Sequence, residues 1–259
     1  MGIAEQNMLG AAAGMARVGL VPFTASFAVF CPGRAFEIIR NAIAYPNLNV
    51  KIVGSHGGLT SGPDGGTHQS VEDLAIMRAL PNLTVISPCD YNQAKQMVEK
   101  MYEINGPVYM RTARSATPII TEENTPFEIG KVQTLKDGND VCIFANGIMN
   151  AYAKEAAEEL EKMGVNARLV NVHTLKPFDK EGVLKAAKEC GYKVVVVEDA
   201  NVNCGLGEEI AYALIGEKVK FAHAAIMDKF GQSAVSDSEL HSFYGLDVKA
   251  IIEKVKSVC

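Results

Sequence analysis

The 259-residue sequence has six cysteines and no pairing pattern among them: Cys31, Cys89, Cys142, Cys190, Cys204 and Cys259 are scattered, with no Cys-x-x-Cys spacing. That excludes a zinc cage read from spacing and argues against a disulfide frame, so the thiols read as reduced in a cytoplasmic protein. There is also no basic run, and the net charge is −5, so nucleic acid is not an expected partner. No apolar stretch approaches the ~20 residues that cross a bilayer, and nothing at the start resembles a signal peptide, so no membrane partner is expected. Charged residues make up 21% and hydrophobic ones 48%, a balance that excludes disorder. The length suffices for one large domain or two ordinary ones.

Short apolar runs alternate with amphipathic stretches, the pattern of parallel α/β structure. Helices are expected over Glu5–Arg17, Arg34–Ala44, near Val71–Leu80 and over Tyr91–Ile104. The strands between them are Val21–Ser26, "NVKIVG", "LTVISP" and "PVYMRT". Residues 115–130 carry few apolar side chains, two prolines and a polar run, which suits a linker. The alternation then resumes with strand "DVCIFANG", helix Ala151–Met163, strand "ARLVNV" and helix Lys180–Glu189. Strand "YKVVVVED" is apolar enough to lie inside its sheet. Helices Gly207–Leu214 and Val248–Val258 follow. Two α/β domains, 1–122 and 123–259, are the expected organisation.

In open parallel sheets, ligands gather at the carboxyl ends of the strands. The loop "GPDGGTHQS", Gly62–Ser70, follows a strand and so lies in that region. On pattern alone it is either an Asx-type turn with a helix cap or a ligand loop presenting Asp64 and His68, with His56 nearby. Glu5, at the first turn of a helix, reads on spacing alone as a complement to the helix dipole. Phe27 and Phe30, at the end of "PFTASFAVF", are either core or a stacking wall for a flat heterocycle. Arg111 and Arg114 end a strand, as solvated ion pairs or as an anion clamp. "NCGLGEE" lacks the full dinucleotide pattern and reads as a turn and helix start. His173, His223 and His241 read as structural.

Taken in order, these segments resemble the carboxyl-terminal half of a transketolase. The resemblance spans the whole chain and rests on "IAEQNM", "PFTASFAVF", "RAFEIIRNAI", "GSHGGLTSGPDGGTHQSVEDLAIMRALPN", "SPCDYNQA", "GPVYMRTAR", "HTLKPFD" and "VEDANVNCGLGEEIA". It implies two parallel-sheet three-layer domains, a thiamine-diphosphate pyrimidine-binding domain and a transketolase C-terminal domain. The implied reaction transfers a two-carbon ketol unit between phosphorylated sugars. Glu5 matches the glutamate that donates a hydrogen bond to N1' of the aminopyrimidine. A donating carboxyl must be protonated, and burial against an apolar wall raises its pKa in that direction. Phe27 and Phe30 match the aromatics against the pyrimidine ring. Asp64 and His68 match the pair that reads the ketose hydroxyls, with the histidine also placed for proton transfer. His56 and Arg114 match residues that grip the sugar phosphate.

Two departures qualify the match. The diphosphate domain of the family, with its GDG motif and its Mg²⁺ or Ca²⁺, has no counterpart here, so no metal ligand is expected in this chain. The strand and helix that precede "IAEQ" in the family are also not in this sequence, so a sheet edge is expected to need cover from a partner or from upstream residues. The resemblance therefore implies the C-terminal subunit of a split transketolase, working with a diphosphate-binding N-terminal subunit in a two-plus-two heterotetramer. Alternatives are a deoxyxylulose-phosphate synthase-like enzyme, a dehydrogenase β subunit, or a non-catalytic binding module. "GSHGG" has a histidine where the synthase would carry an aspartate–arginine pair, and "DGGTHQ" does not suit the dehydrogenase. A non-catalytic relic has no reason to keep Glu5, Phe27, Phe30, Asp64 and His68 together.

Overall fold

The computed structural model describes residues 1–259. Helix α1, Glu5–Arg17, carries an acid in its first turn and a base in its last, both favourable to its dipole. It buries Leu9, Ala12 and Ala13, one stripe at helical spacing. Strand β1 (Phe23–Phe27) follows, then α2 (Cys31–Ile38), opened by Pro32 in its first turn. The helix expected over Arg34–Ala44 is two pieces, because α2 passes into a π-helical segment, Ile39–Ala44. Next come β2 (Lys51–Ser55), α3 (Asp73–Arg78) and β3 (Thr84–Ile86). Helix α4 (Tyr91–Glu103) is capped by the Asp90 side chain, which accepts from Gln93 N, and leads into β4 (Val108–Arg111).

The second half runs β5 (Gln133–Lys136), β6 (Val141–Ala145), α5 (Met149–Lys162), β7 (Ala167–Asn171) and β8 (Thr174–Lys176). It continues through α6 (Lys180–Glu189), β9 (Lys193–Asn201), α7 (Leu206–Ala213), β10 (Lys220–Ile226), α8 (Asp237–Phe243) and α9 (Val248–Val258).

The two five-stranded sheets have the orders β1-β2-β4-β3-β8 and β10-β9-β6-β7-β5. Each is parallel except for one antiparallel edge strand, β8 against β3 and β5 against β7. Strand β9, the valine run, lies between β10 and β6, inside its sheet as its composition implied. Strand β8 departs from the division read in the sequence: it follows β7 yet completes the first sheet. Its Lys176 ammonium donates to the carbonyls of Arg78 (3.0 Å) and Leu80, tying off the end of α3.

A buried charge network also crosses between the halves. Arg111, expected to be exposed or to bind an anion, is only 4% exposed and is held by carboxylates at the edge of a cavity between the halves. Its guanidinium meets Asp199 Oδ1 at 3.2 Å and Asp73 Oδ1 at 3.6 Å. Asp73 Oδ2 accepts from the Tyr109 hydroxyl at 2.7 Å. Burial pushes the Asp199 carboxyl up to about 6 despite the Arg111 charge beside it. Arg111→Ala would leave two carboxylates buried without their cation, at a cost of about 3–5 kcal/mol. Denaturant unfolding should show that loss as a lower midpoint with an unchanged slope.

Candidate active site

The register of the first sheet brings the candidate residues together. Phe27 pairs with Ser55 and Gly54 with Arg111, so the carboxyl ends of β1, β2 and β4 lie side by side. Beyond them sit Phe30, at the start of α2, and His56, just past β2. His56 holds φ at 61°, a left-handed conformation that few non-glycine residues adopt. It turns the imidazole back onto Phe27, stacked at 3.7 Å between ring centroids. Phe27 and Phe30 stack at 5.9 Å, and His68 meets both edge-on, at 6.3 and 5.3 Å. Two phenyl rings and two imidazoles thus form one patch.

Glu5 adjoins this patch from α1. It is 6% exposed, and its carboxylate accepts from Ser26 Oγ at 3.2 Å and from Arg34 Nη1 at 2.7 Å. The Arg34 guanidinium also lies 4.8 Å from the Phe30 ring centre, a cation–π contact. Here the sequence expectation needs correcting. Burial does press the Glu5 carboxyl upward, but hydrogen bonds from its own backbone N–H, Arg34 and Ser26, with the Arg34 charge, hold it below the usual range. In this chain Glu5 is an ionised partner of Arg34, because a cation rather than an apolar wall stands beside it.

Asp64 and Arg114 are exposed at the rim. The Arg114 backbone N–H donates to Thr60 Oγ1 at 3.0 Å, which fixes the chain there and leaves the side chain outward. Burial lowers the His56 pKa, the Arg114 charge lowers it further and Asp64 opposes both, so His56 is neutral at physiological pH. The site residues named from the sequence therefore lie at one end of one sheet. Sequence reasoning missed Ser26 and Arg34, although Arg34 stands four residues beyond Phe30, the spacing that superposes side chains on a helix.

Aromatic rings suit a flat heterocycle, and the Glu5 carboxyl suits its ring nitrogen once protonated, so the residues present fit an aminopyrimidine provided that Glu5 takes up a proton. Two cavities, of about 370 and 760 Å³, lie elsewhere, between the halves, and are lined by other residues. The four rings of the aromatic patch are each half-buried. No group of three or more His, Cys, Asp or Glu side chains is placed to hold a metal ion. No helix is long and apolar enough to cross a membrane. At "NCGLGEE" the backbone N–H groups of Leu206 and Gly207 donate to Glu198 at 2.8 and 2.9 Å, so that helix start is already satisfied from within. His173 and His241 are buried, each with its pKa pushed down to about 4, and His223 pairs with Glu198.

The family model for the pyrimidine-binding domain of transketolase matches residues 1–119, and that for the transketolase C-terminal domain matches residues 130–251. A protein of Methanocaldococcus jannaschii described as a transketolase C-terminal section is 46% identical over 98% of this chain and 80% of its own length. A 6-deoxy-6-sulfo-D-fructose transketolase subunit of a Clostridium species is 43% identical over 100% of this chain and 80% of its own. Among solved structures, a split-gene transketolase in an inactive β4 tetramer superposes with a TM-score of 0.89 at 44% identity, covering 100% of this chain and 82% of that one. With both halves matched and relatives this similar along nearly the whole sequence, the chain belongs to the transketolase family.

Proposed function

We propose that this chain is the C-terminal subunit of a thiamine-diphosphate-dependent transketolase moving a two-carbon ketol unit between phosphorylated ketose and aldose sugars. The observation that carries the reading is the patch of Phe27, Phe30, His56 and His68 at one end of the first sheet, with Glu5 joined to it through Arg34. In this reading residues 1–122 form the pyrimidine-binding domain and 123–259 the C-terminal domain. A separate N-terminal subunit supplies the diphosphate site with its Mg²⁺ or Ca²⁺, and two copies of each chain assemble.

Thiamine diphosphate, when bound, supplies a carbon nucleophile at C2 of its thiazolium. The chain's residues do the rest. Phe27 and Phe30 hold the aminopyrimidine by its faces and edge. Glu5 holds a proton at N1', which requires it to give up the Arg34 ion pair. Asp64 accepts from a sugar hydroxyl, and His68 moves a proton at the hydroxyl next to the carbonyl. Neutral His56 donates one hydrogen bond to the phosphate, and Arg114 contributes the full charge.

Phosphate contacts are made in ground and transition states alike, so they set affinity more than rate. Arg114→Ala should raise KM for phosphorylated sugars by on the order of tenfold to a hundredfold, the worth of a charged hydrogen bond of about 1.5–3 kcal/mol. Steady-state kinetics on the chain assembled with its partner, using a ketose phosphate and an unphosphorylated donor, test this. An equal rise for both donors would show Arg114 to be structural. No ketol transfer from any phosphorylated ketose would defeat the proposal itself.

A further inference from the structure

The loop that carries Asp64 and His68 is folded against the other half of the chain. Its outward residues include the two candidate substrate contacts, beside Pro63 and Thr67: Asp64 is exposed and His68 half-buried. Its inward ones are glycines and Gln69, and they meet the segment Gly231–Asp237, which links β10 to α8. A Cβ on Gly66 would overlap the Gly231 carbonyl oxygen, one on Gly65 would sit 2.5 Å from Ser233 Oγ, and one on Gly62 3.3 Å from Asp237 Oδ1. From the other side, a Cβ on Gly231 would overlap the Gln69 amide. Gln69 is 3% exposed, and its Nε2 donates to the Gln232 carbonyl at 3.0 Å and the Gly62 carbonyl at 3.4 Å. Ala234 N donates to the same Gly62 carbonyl at 3.3 Å.

The glycines of the loop thus serve contact between the halves. We infer that the segment Gly231–Asp237 sets the geometry of the substrate loop, with Gln69 as the positioning residue, so that the C-terminal half governs donor recognition without touching the donor. This rests on the reading of Asp64 and His68 as donor contacts given above. A displacement of about 1 Å in such a loop costs on the order of a hundredfold. Glu5 and the two phenylalanines belong to α1, β1 and the start of α2, and the loop reaches the phenylalanines through the His68 ring alone, edge-on to each.

Gln69→Ala and Gly231→Ala separate the two functions. In the chain alone, amide hydrogen exchange over residues 59–70 should accelerate in both variants. In the enzyme assembled with its partner, kcat/KM for a ketose phosphate should fall by on the order of tenfold to a hundredfold. Exchange of the cofactor's C2 proton should stay at the wild-type rate, which a general loss of structure would not allow. Asp64→Ala is the control. If it lowers kcat/KM for the donor and the two variants do not, the inference is wrong and the loop reading stands. If Asp64→Ala has no effect, the loop reading fails and the inference falls with it. Unchanged amide exchange in both variants, or C2 exchange falling in step with kcat/KM, would also overturn it.

Discussion

Glu5→Gln in the assembled enzyme is expected to keep the fold and to slow exchange of the cofactor's C2 proton by on the order of 10²–10⁴-fold, the usual worth of a positioned proton donor. Gln is nearly isosteric: its one amide oxygen can still accept from Arg34, while its NH2 turns to Ser26 Oγ, whose hydroxyl then accepts, so little stability should be lost with the half-exposed Arg34 ion pair. It cannot supply an acidic proton to N1'. Exchange at the wild-type rate would remove Glu5 from the mechanism. The Arg34 pair adds a second consequence. Glu5 is ionised in the free chain, held below the usual carboxylate range, and protonated in the proposed complex. The complex therefore binds one more proton than the free protein, and affinity falls as pH rises, by at most about tenfold per pH unit. Calorimetry in buffers of different ionisation enthalpy should register the uptake of close to one proton near neutrality. Arg34→Ala should shrink that uptake by letting the carboxyl titrate higher.

The sequence was most legible where one element satisfies itself. Helices α1 and α9 run over the residues their apolar stripes marked, because stripe, dipole charges and ends agree. The inner strands β2, β4 and β9 were legible for a related reason: burial on both faces demands unbroken apolar runs. What stayed hidden depends on neighbours distant in sequence. Strand β8 is three residues, Thr-Leu-Lys, too short for any period, and its place is fixed by β3 almost ninety residues earlier. Strand β10, "KFAHAAI", carries small side chains that mimic a helix, and β5 is a polar edge. The same distinction holds in the site. Glu5, Phe27, Phe30, His56 and His68 were named from the motifs that carry the resemblance; the four rings share one patch, and Glu5 reaches it through Arg34. The ionisation of Glu5 was misread because it is set by Arg34, 29 residues away, whose charge no motif displayed. Arg111 was misjudged likewise: only the fold puts Asp73 and Asp199 on either side of it.

The purified chain alone is expected to show no ketol transfer and to bind thiamine diphosphate no more tightly than the millimolar range. The cofactor's strongest handle is its diphosphate, held through a divalent cation in sites built of oxygen ligands. The chain offers no cluster of acidic or imidazole groups for that cation. What remains is stacking on two phenyl rings and one hydrogen bond to Glu5, a few kcal/mol before the cost of ordering is subtracted. About 4 kcal/mol corresponds to ~1 mM. The Arg34 ion pair must also be given up, which lowers the sum again. The shape of the chain agrees with a site completed from outside. The rings of the aromatic patch are only half-buried, and β1 is the edge strand of its sheet. Apolar side chains on and just after α1 are exposed, Met15 at 44% and Val18 at 77%, with Leu20 at 53% leading into β1. Such a surface, beside an unpaired strand, is a place where another chain packs. In the proposed assembly it meets the partner subunit or a second copy about a two-fold axis. Titration calorimetry of the chain with thiamine diphosphate and Mg²⁺, followed by a ketol-transfer assay with and without a diphosphate-binding subunit, decides the matter. Submicromolar binding, or turnover by the chain alone, would mean that residues 1–259 hold a diphosphate site of their own, and the division of labour between two subunits would have to be abandoned.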